Sequence, residues 1–141
     1  MPTRVRRIPA VCVILLVLTG FALAPAAVAA QKPLPADSLE LGRKYAFWFF
    51  TGTADSVLAY MRPDVAQGFG GRTGMVEGLA TVTQRAGTEV RVIEERFIWR
   101  NGQRQYLRKS EMTILTEPFV LRFVILADGS IGGIGMGPES A

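Results

Sequence analysis

"TEVRVIEERFIWRNGQRQYLRKSEM", residues 88–112, decides the fold. Its apolar residues recur at every second position, which is the period of a strand. Val90 and Val92 fall on one face, whereas Ile93, Phe97 and Trp99 fall on the other. The change of face at Val92–Ile93 predicts a bulge or bend. Asn101-Gly102 then interrupts the run, the strongest short signal for a two-residue type I′ hairpin. Such a loop sets Arg100 opposite Gln103, Trp99 opposite Arg104, and Phe97 opposite Tyr106. The register predicts a cation–π contact between Trp99 and Arg104 and an aromatic pair of Phe97 with Tyr106.

Downstream, the returning strand runs to about Leu115, and Glu117-Pro118 breaks it. "FVLRFVILA", residues 119–127, is a third strand. Phe119, Leu121, Phe123 and Ile125 form one apolar face. Val120, Val124 and Leu126 form the other, interrupted by Arg122. A strand apolar on both sides is covered on both sides. Asp128-Gly129 turns the chain into a Gly-rich last strand, "SIGGIGMG".

Upstream the period is helical. Asp37 and Glu40 stand as D-x-x-E, close to a capping box, and predict a helix from Ser38 to about Thr51. Leu41, Tyr45, Trp48 and Phe49 form its stripe; Phe47 and Phe50 lie off it, so the helix is expected to be covered on more than one side. A second helix starts at Thr53, with Asp55 in its first turn and Val57, Leu58 and Met61 on its buried face, and ends at Pro63. "RPDVAQGFGG" is a turn-rich connector holding Phe69. Thr73 caps a third helix, with Met75, Leu79, Val82 and Ala86 inside and Gly87 as the stop. Helices followed by strands predict an α+β fold: three N-terminal helices on one face of a four-stranded antiparallel sheet. The other face, with Val120, Val124 and Leu126, asks for a partner, and a second copy of the chain is the simple candidate.

The first thirty residues have a different character. Arg4, Arg6 and Arg7 precede an apolar run from Ile8 to about Leu23, and "APAAVAA" closes it. That is the pattern of a secretory signal peptide, cleaved after Ala29 or Ala30. The stretch is also long enough for an uncleaved inner-membrane anchor. Cys12 lies at the start of the apolar run, which disfavours a lipidation site, and the residues around Arg6-Arg7 fit twin-arginine export poorly. Residues 1–30 are thus read as the signal, 31–36 as an extended leader, and 37–141 as the domain. The product is exported, to the periplasm or outside the cell. Its only membrane contact would be an uncleaved signal.

Removing the signal changes the charge argument. Three of the 16 Lys+Arg leave with it, so 13 face 12 Asp+Glu and the net charge is +1. A basic nucleic-acid footprint loses its support. The sole cysteine also leaves, and the chain has no histidine. Neither a disulfide, nor a Ser-His-Asp set, nor a zinc site by ligand spacing is available. No cofactor or metal is expected, since "GSIGGIGMG" follows a strand but opens no helix, unlike a dinucleotide loop.

Asp37, Asp55, Asp64 and Asp128 fall at caps and turns. Glu94-Glu95, with Arg91 and Arg96 beside them, reads as surface ion pairing. The basic run of Arg100, Arg104, Arg108 and Lys109 around Tyr106 reads as a solvated face. Glu111 is the one acid placed mid-strand for general-base work; a cross-strand salt link is its plainer role.

"GRKYAFWFFTGTADSVLAYMRPDVAQGFG" and "GTEVRVIEERFIWRNGQRQYLRKSEM" together resemble the NTF2-like (cystatin-like cone) superfamily. They are most similar to its small secreted bacterial domains of unknown function, which occur alone or ahead of serine hydrolase modules. An aromatic first helix, an M-x-P helix end, a G-T-E entry to the sheet and a D-G-x-I last turn carry the resemblance, over about residues 37–136. It implies a curved sheet around the first helix and, often, a dimer through the convex face. It also implies a concave pocket for a small apolar ligand at the cone's open end. The expected lining is Tyr45, Trp48, Phe49, Tyr60, Phe69, Tyr106 and Glu111, in a non-catalytic binding domain. The alternatives are an accessory module for an envelope serine hydrolase, and a small isomerase-like enzyme using Glu111 with tyrosine donors.

Overall fold

The computed structural model describes residues 35–141; the expected signal and most of the leader lie outside the described residues. Four helices precede four strands: α1 (Leu39–Phe50), α2 (Ala54–Ala59), α3 (Pro63–Gly68), α4 (Gly71–Ala86), β1 (Glu89–Arg100), β2 (Gln103–Met112), β3 (Phe119–Ile125) and β4 (Ile131–Pro138). The strands form one open antiparallel sheet in the order β1-β2-β3-β4. The fold class is α+β, as the segregation of periods indicated.

The hairpin of β1 and β2 forms as its sequence dictates. Asn101 and Gly102 both take positive φ, 52° and 69°, as a type I′ turn requires. Arg100 pairs with Gln103, Trp99 with Arg104 and Phe97 with Tyr106, and the register slips between Val92 and Glu94, where the change of face falls. Phe97 and Tyr106 meet edge to face, with centroids 6.0 Å apart. The cation–π partner differs from the expected one. The Arg104 guanidinium lies 4.2 Å from the Phe97 ring centroid, because Trp99 at the hairpin end is 76% exposed.

Three helix expectations are corrected. First, Ser38 rather than Asp37 is the N-cap of α1: its Oγ accepts from the Leu41 N–H at 3.1 Å. Second, Pro63 does not end α2, which stops at Ala59 with Tyr60 as its C-cap. The proline opens α3 at its first turn, where a missing N–H costs nothing and a fixed φ helps. The expected connector is therefore a short fourth helix. Third, α4 starts before Thr73, at Gly71, behind a left-handed Gly70 (φ 79°). Gly74 faces the Phe69 carbonyl so closely that no Cβ would fit there, so the α3–α4 corner is tight.

Leu41, Tyr45 and Phe49 of α1 pack with Tyr106, Leu121 and Phe123 of the sheet in one buried cluster, joined by Val57, Met61, Met75, Leu79, Ile125 and Ile131. Phe50 packs on Phe119, centroids 6.1 Å apart, whereas Phe47 is 63% exposed. Thus α1 is covered on the Phe50 side but not on the Phe47 side. One further link has no signal in the sequence. Met61 and Ile131 form a parallel bridge: the Arg62 N–H donates to the Ile131 carbonyl at 3.0 Å, and the Ile131 N–H to the Tyr60 carbonyl at 2.7 Å. This ties the α2–α3 joint to the start of β4.

The opposite sheet face carries Ile98, Gln105 and Val124 on one rung and Leu107 and Arg122 on the next. Val120 is already buried within the chain, and Val124 and Leu126 are half-buried. The C-terminal turn lies at the Val120 rung: the Glu139 N–H donates to the Pro118 carbonyl at 2.9 Å, and Lys109 pairs with Glu139. Among the described residues, no helix is long and apolar enough to cross a membrane.

Candidate functional site

Strand alternation places Glu95 on the helix-covered face with Phe97, and Arg108 on that same face with Tyr106. These polar residues meet Glu89 and Ser110 at the end of the sheet nearest the α4–β1 joint. Arg108 grips Glu89 in a two-bond fork, Nε to Oε1 at 2.8 Å and Nη2 to Oε2 at 2.6 Å, and reaches Glu95 Oε1 from Nη1 at 3.1 Å. The Tyr106 hydroxyl donates to Glu95, the Ser110 hydroxyl to Glu89, and Arg43 of α1 closes the set with Nε to Glu95 Oε2 at 2.7 Å. Side-chain exposures of Arg108, Glu89 and Glu95 are only 14%, 19% and 11%.

The electrostatics follow from this geometry. Burial alone would raise both carboxyls. For Glu89, the bonds from Arg108 and Ser110 outweigh burial and hold it below its ordinary value. For Glu95, those from Tyr106 and Arg43 do the same. Burial, and then the bond to Glu95, push the Tyr106 phenol up; the bond to Glu89 pushes Arg108 up despite burial. Each proton is therefore held where it already sits. The cluster is ionised and internally satisfied, which suits a structural ion cluster better than a proton-transfer centre. Reading Glu94-Glu95 as a surface pair is right for Glu94, which bonds exposed Arg96, and wrong for Glu95. Likewise Arg108 does not belong to a solvated basic face.

The expected pocket residues divide into separate groups. Tyr45, Trp48 and Tyr60 come together, with centroids 5.3 to 5.9 Å apart. Lys44 Nζ sits over Trp48 at 4.9 Å and over Tyr60 at 5.0 Å. Tyr45 itself is fully buried and its hydroxyl donates to the Gly129 carbonyl. Burial first, then the charges of Tyr60 and Asp128, push its phenol up to about 12. Phe49 is core, and Phe69 packs half-buried against that core. Tyr106 belongs to the ion cluster. Glu111 is on the other face of the sheet from Tyr106, bonded to Arg91 at 2.6 Å and 46% exposed. The seven do not line one cavity.

A groove of about 320 Å³ lies elsewhere, between α4 and the β3–β4 pair, lined by Thr81, Val82, Arg85, Ala86, Leu115, Phe119, Met136, Gly137 and Pro138. Its walls are apolar, and its polar residues are Thr81 and Arg85, both exposed on α4. Periodicity in the sequence marks only Val82, Ala86 and Phe119 of these, and marks them as core positions. Among the described residues, no three His, Cys, Asp or Glu side chains converge as metal ligands. Comparison with protein-family models, with curated proteins and with solved structures gave no match.

Proposed function

We propose that this is an exported, non-catalytic binding domain of cone type, which holds a small apolar ligand in the groove between α4 and the β3–β4 pair. The groove carries the reading: apolar walls with a few placed polar groups are what a small-molecule site requires, and this one has Val82, Leu115, Phe119 and Met136 with Arg85 nearby. The isomerase alternative needs Glu111 and a tyrosine in one cavity, and Glu111 is committed to Arg91 on the far face. It is not carried forward. Under this proposal 1-anilinonaphthalene-8-sulfonate binds the purified protein saturably, near one per chain. Val82→Trp, at a half-buried position, fills the groove and removes that binding without lowering the melting temperature by more than a few degrees. Saturable binding that survives in Val82→Trp would remove the groove from the proposal.

The partner reading extends this proposal: a second copy covers the outer sheet face through Val124 and Leu126, with Leu107 beside them. Val120, at the same face, is already covered by the chain's own C-terminal turn and adds little to such an interface. The support is that Val124 and Leu126 are only half-buried on a face that also carries Ile98, Leu107 and the β4 glycines, although Gln105 and Arg122 lie beside Val124. Sedimentation at micromolar concentration is expected to give a dimer, and Val124→Glu a monomer. A monomer for the unaltered protein ends the dimer reading and leaves the groove untouched.

A further inference from the structure

We infer that Arg122 and Arg100 form a binding site for a small oxyanion, a phosphate or carboxylate group, on the outer face of the sheet. A hollow of about 260 Å³ is lined there by Arg100, Asn101, Gln105, Arg122, Val124 and three residues of β4. Its charged and polar side chains are two guanidiniums and two amides, with no carboxylate among them.

Every nearby acid on this face already has a partner. Glu94 is bonded to Arg96, Glu111 to Arg91 and Glu139 to Lys109. Arg122 is left half-buried at the centre of the sheet, and among the described residues it makes no ion pair or side-chain hydrogen bond. Burial first, and then the like charge of Arg100, lower its affinity for its proton. A cation removed from water without a counter-ion is costly, and two like charges that converge add to the cost. An oxyanion between the two would relieve both terms through forked, charge-assisted bonds.

The floor of the hollow is also shaped for access. Gly133 and Gly135 of β4 sit beside Val124 and Arg122 on adjacent rungs. A Cβ at Gly135 would lie 3.6 Å from Arg122 Nε. On its β4 side the guanidinium therefore lies along bare backbone, while Leu107 stands beside it on β2. This site is separate from the apolar groove and does not depend on it; Val124 belongs both to its lining and to the face proposed for a second copy, so the anion would sit at the border of that interface.

Amide and arginine Nε–H shifts of the purified protein, titrated with sodium phosphate and separately with sodium acetate at constant ionic strength, test the inference. Saturable shifts at Asn101, Arg122, Gly133 and Gly135 are expected with at least one anion. Saturation by phosphate alone assigns a phosphate site, by acetate alone a carboxylate site, and by both an unselective oxyanion site. Arg122→Gln should weaken binding at least about tenfold, as loss of a charged hydrogen-bond donor does. Arg100→Gln, at an exposed position, should weaken it in the same direction and guards against misfolding of the first variant. Shifts that stay linear with both anions overturn the inference. So does saturation that both variants leave unchanged.

Discussion

Gly42→Ala destabilises the protein by about 2–3 kcal/mol, the usual cost of forcing extra volume into a packed core. Alanine is the better helix former by about 1 kcal/mol, so propensity alone predicts the opposite sign. Packing decides. Gly42 is buried on α1 against the Tyr106 ring, and a Cβ there would overlap the ring, reaching its Cγ at 2.5 Å. The ring cannot readily swing away. Phe97 and Phe123 flank it, with centroids at 6.0 and 6.4 Å, and its hydroxyl is tied to Glu95. Gly78→Ala is the matched control. Gly78 is an exposed position of α4, and an added methyl there would meet nothing within 4 Å, so the substitution gains about 1 kcal/mol. Urea unfolding of both variants reads the two signs. Equal signs would show that α1 does not approach the sheet at Gly42.

Arg108→Met costs about 3 kcal/mol at pH 7, near the lower end for breaking a buried pair, because the cluster keeps some exposure. Met keeps an unbranched apolar stem and removes the fork. Glu89 then keeps only Ser110, and Glu95 keeps Tyr106 and Arg43. The sign with pH follows from the depressed carboxyls. In the unaltered protein their contribution is full above the unfolded value, about 4.3, and is lost as pH falls through the lower folded values. In the variant, burial of Glu89 is largely unopposed and raises its carboxyl instead. The deficit is thus largest near neutrality and shrinks below about pH 4. Arg91→Met, which breaks the exposed pair with Glu111, should cost less than about 1 kcal/mol. A deficit in Arg108→Met that does not change between pH 7 and about pH 3 would rule out the ionic account.

The hairpin was legible in residues 88–112 because its signals are local. A two-residue Asn-Gly loop imposes a register, and a period of two then assigns every side chain to a face. The same alternation contains the ion cluster: Tyr106 and Arg108 share a face, and that face is the one bearing Phe97. The signal was present, but a basic run on a strand reads as solvated unless the cover over it is known. That cover is α1, whose Arg43 arrives from 52 residues away in sequence. Pro63 failed locally for a different reason. A proline both ends one helix and suits the first turn of the next, and the neighbouring sequence does not choose between the two.

The sequence by itself determined that helices precede four strands, the α+β class, the hairpin register and the placing of Leu41, Tyr45 and Phe49 on one stripe of α1, since each depends on periods and turns within about a dozen residues. Only the tertiary structure decided which polar residues are buried and where the hollows lie. Among the described residues it separated Glu95 from Glu94, sent Glu111 to the far face, set Tyr106 apart from the group of Tyr45, Trp48 and Tyr60, and left Arg122 without an ion pair. Burial and pairing are properties of side chains brought together from distant segments, and period alone does not record which segments meet.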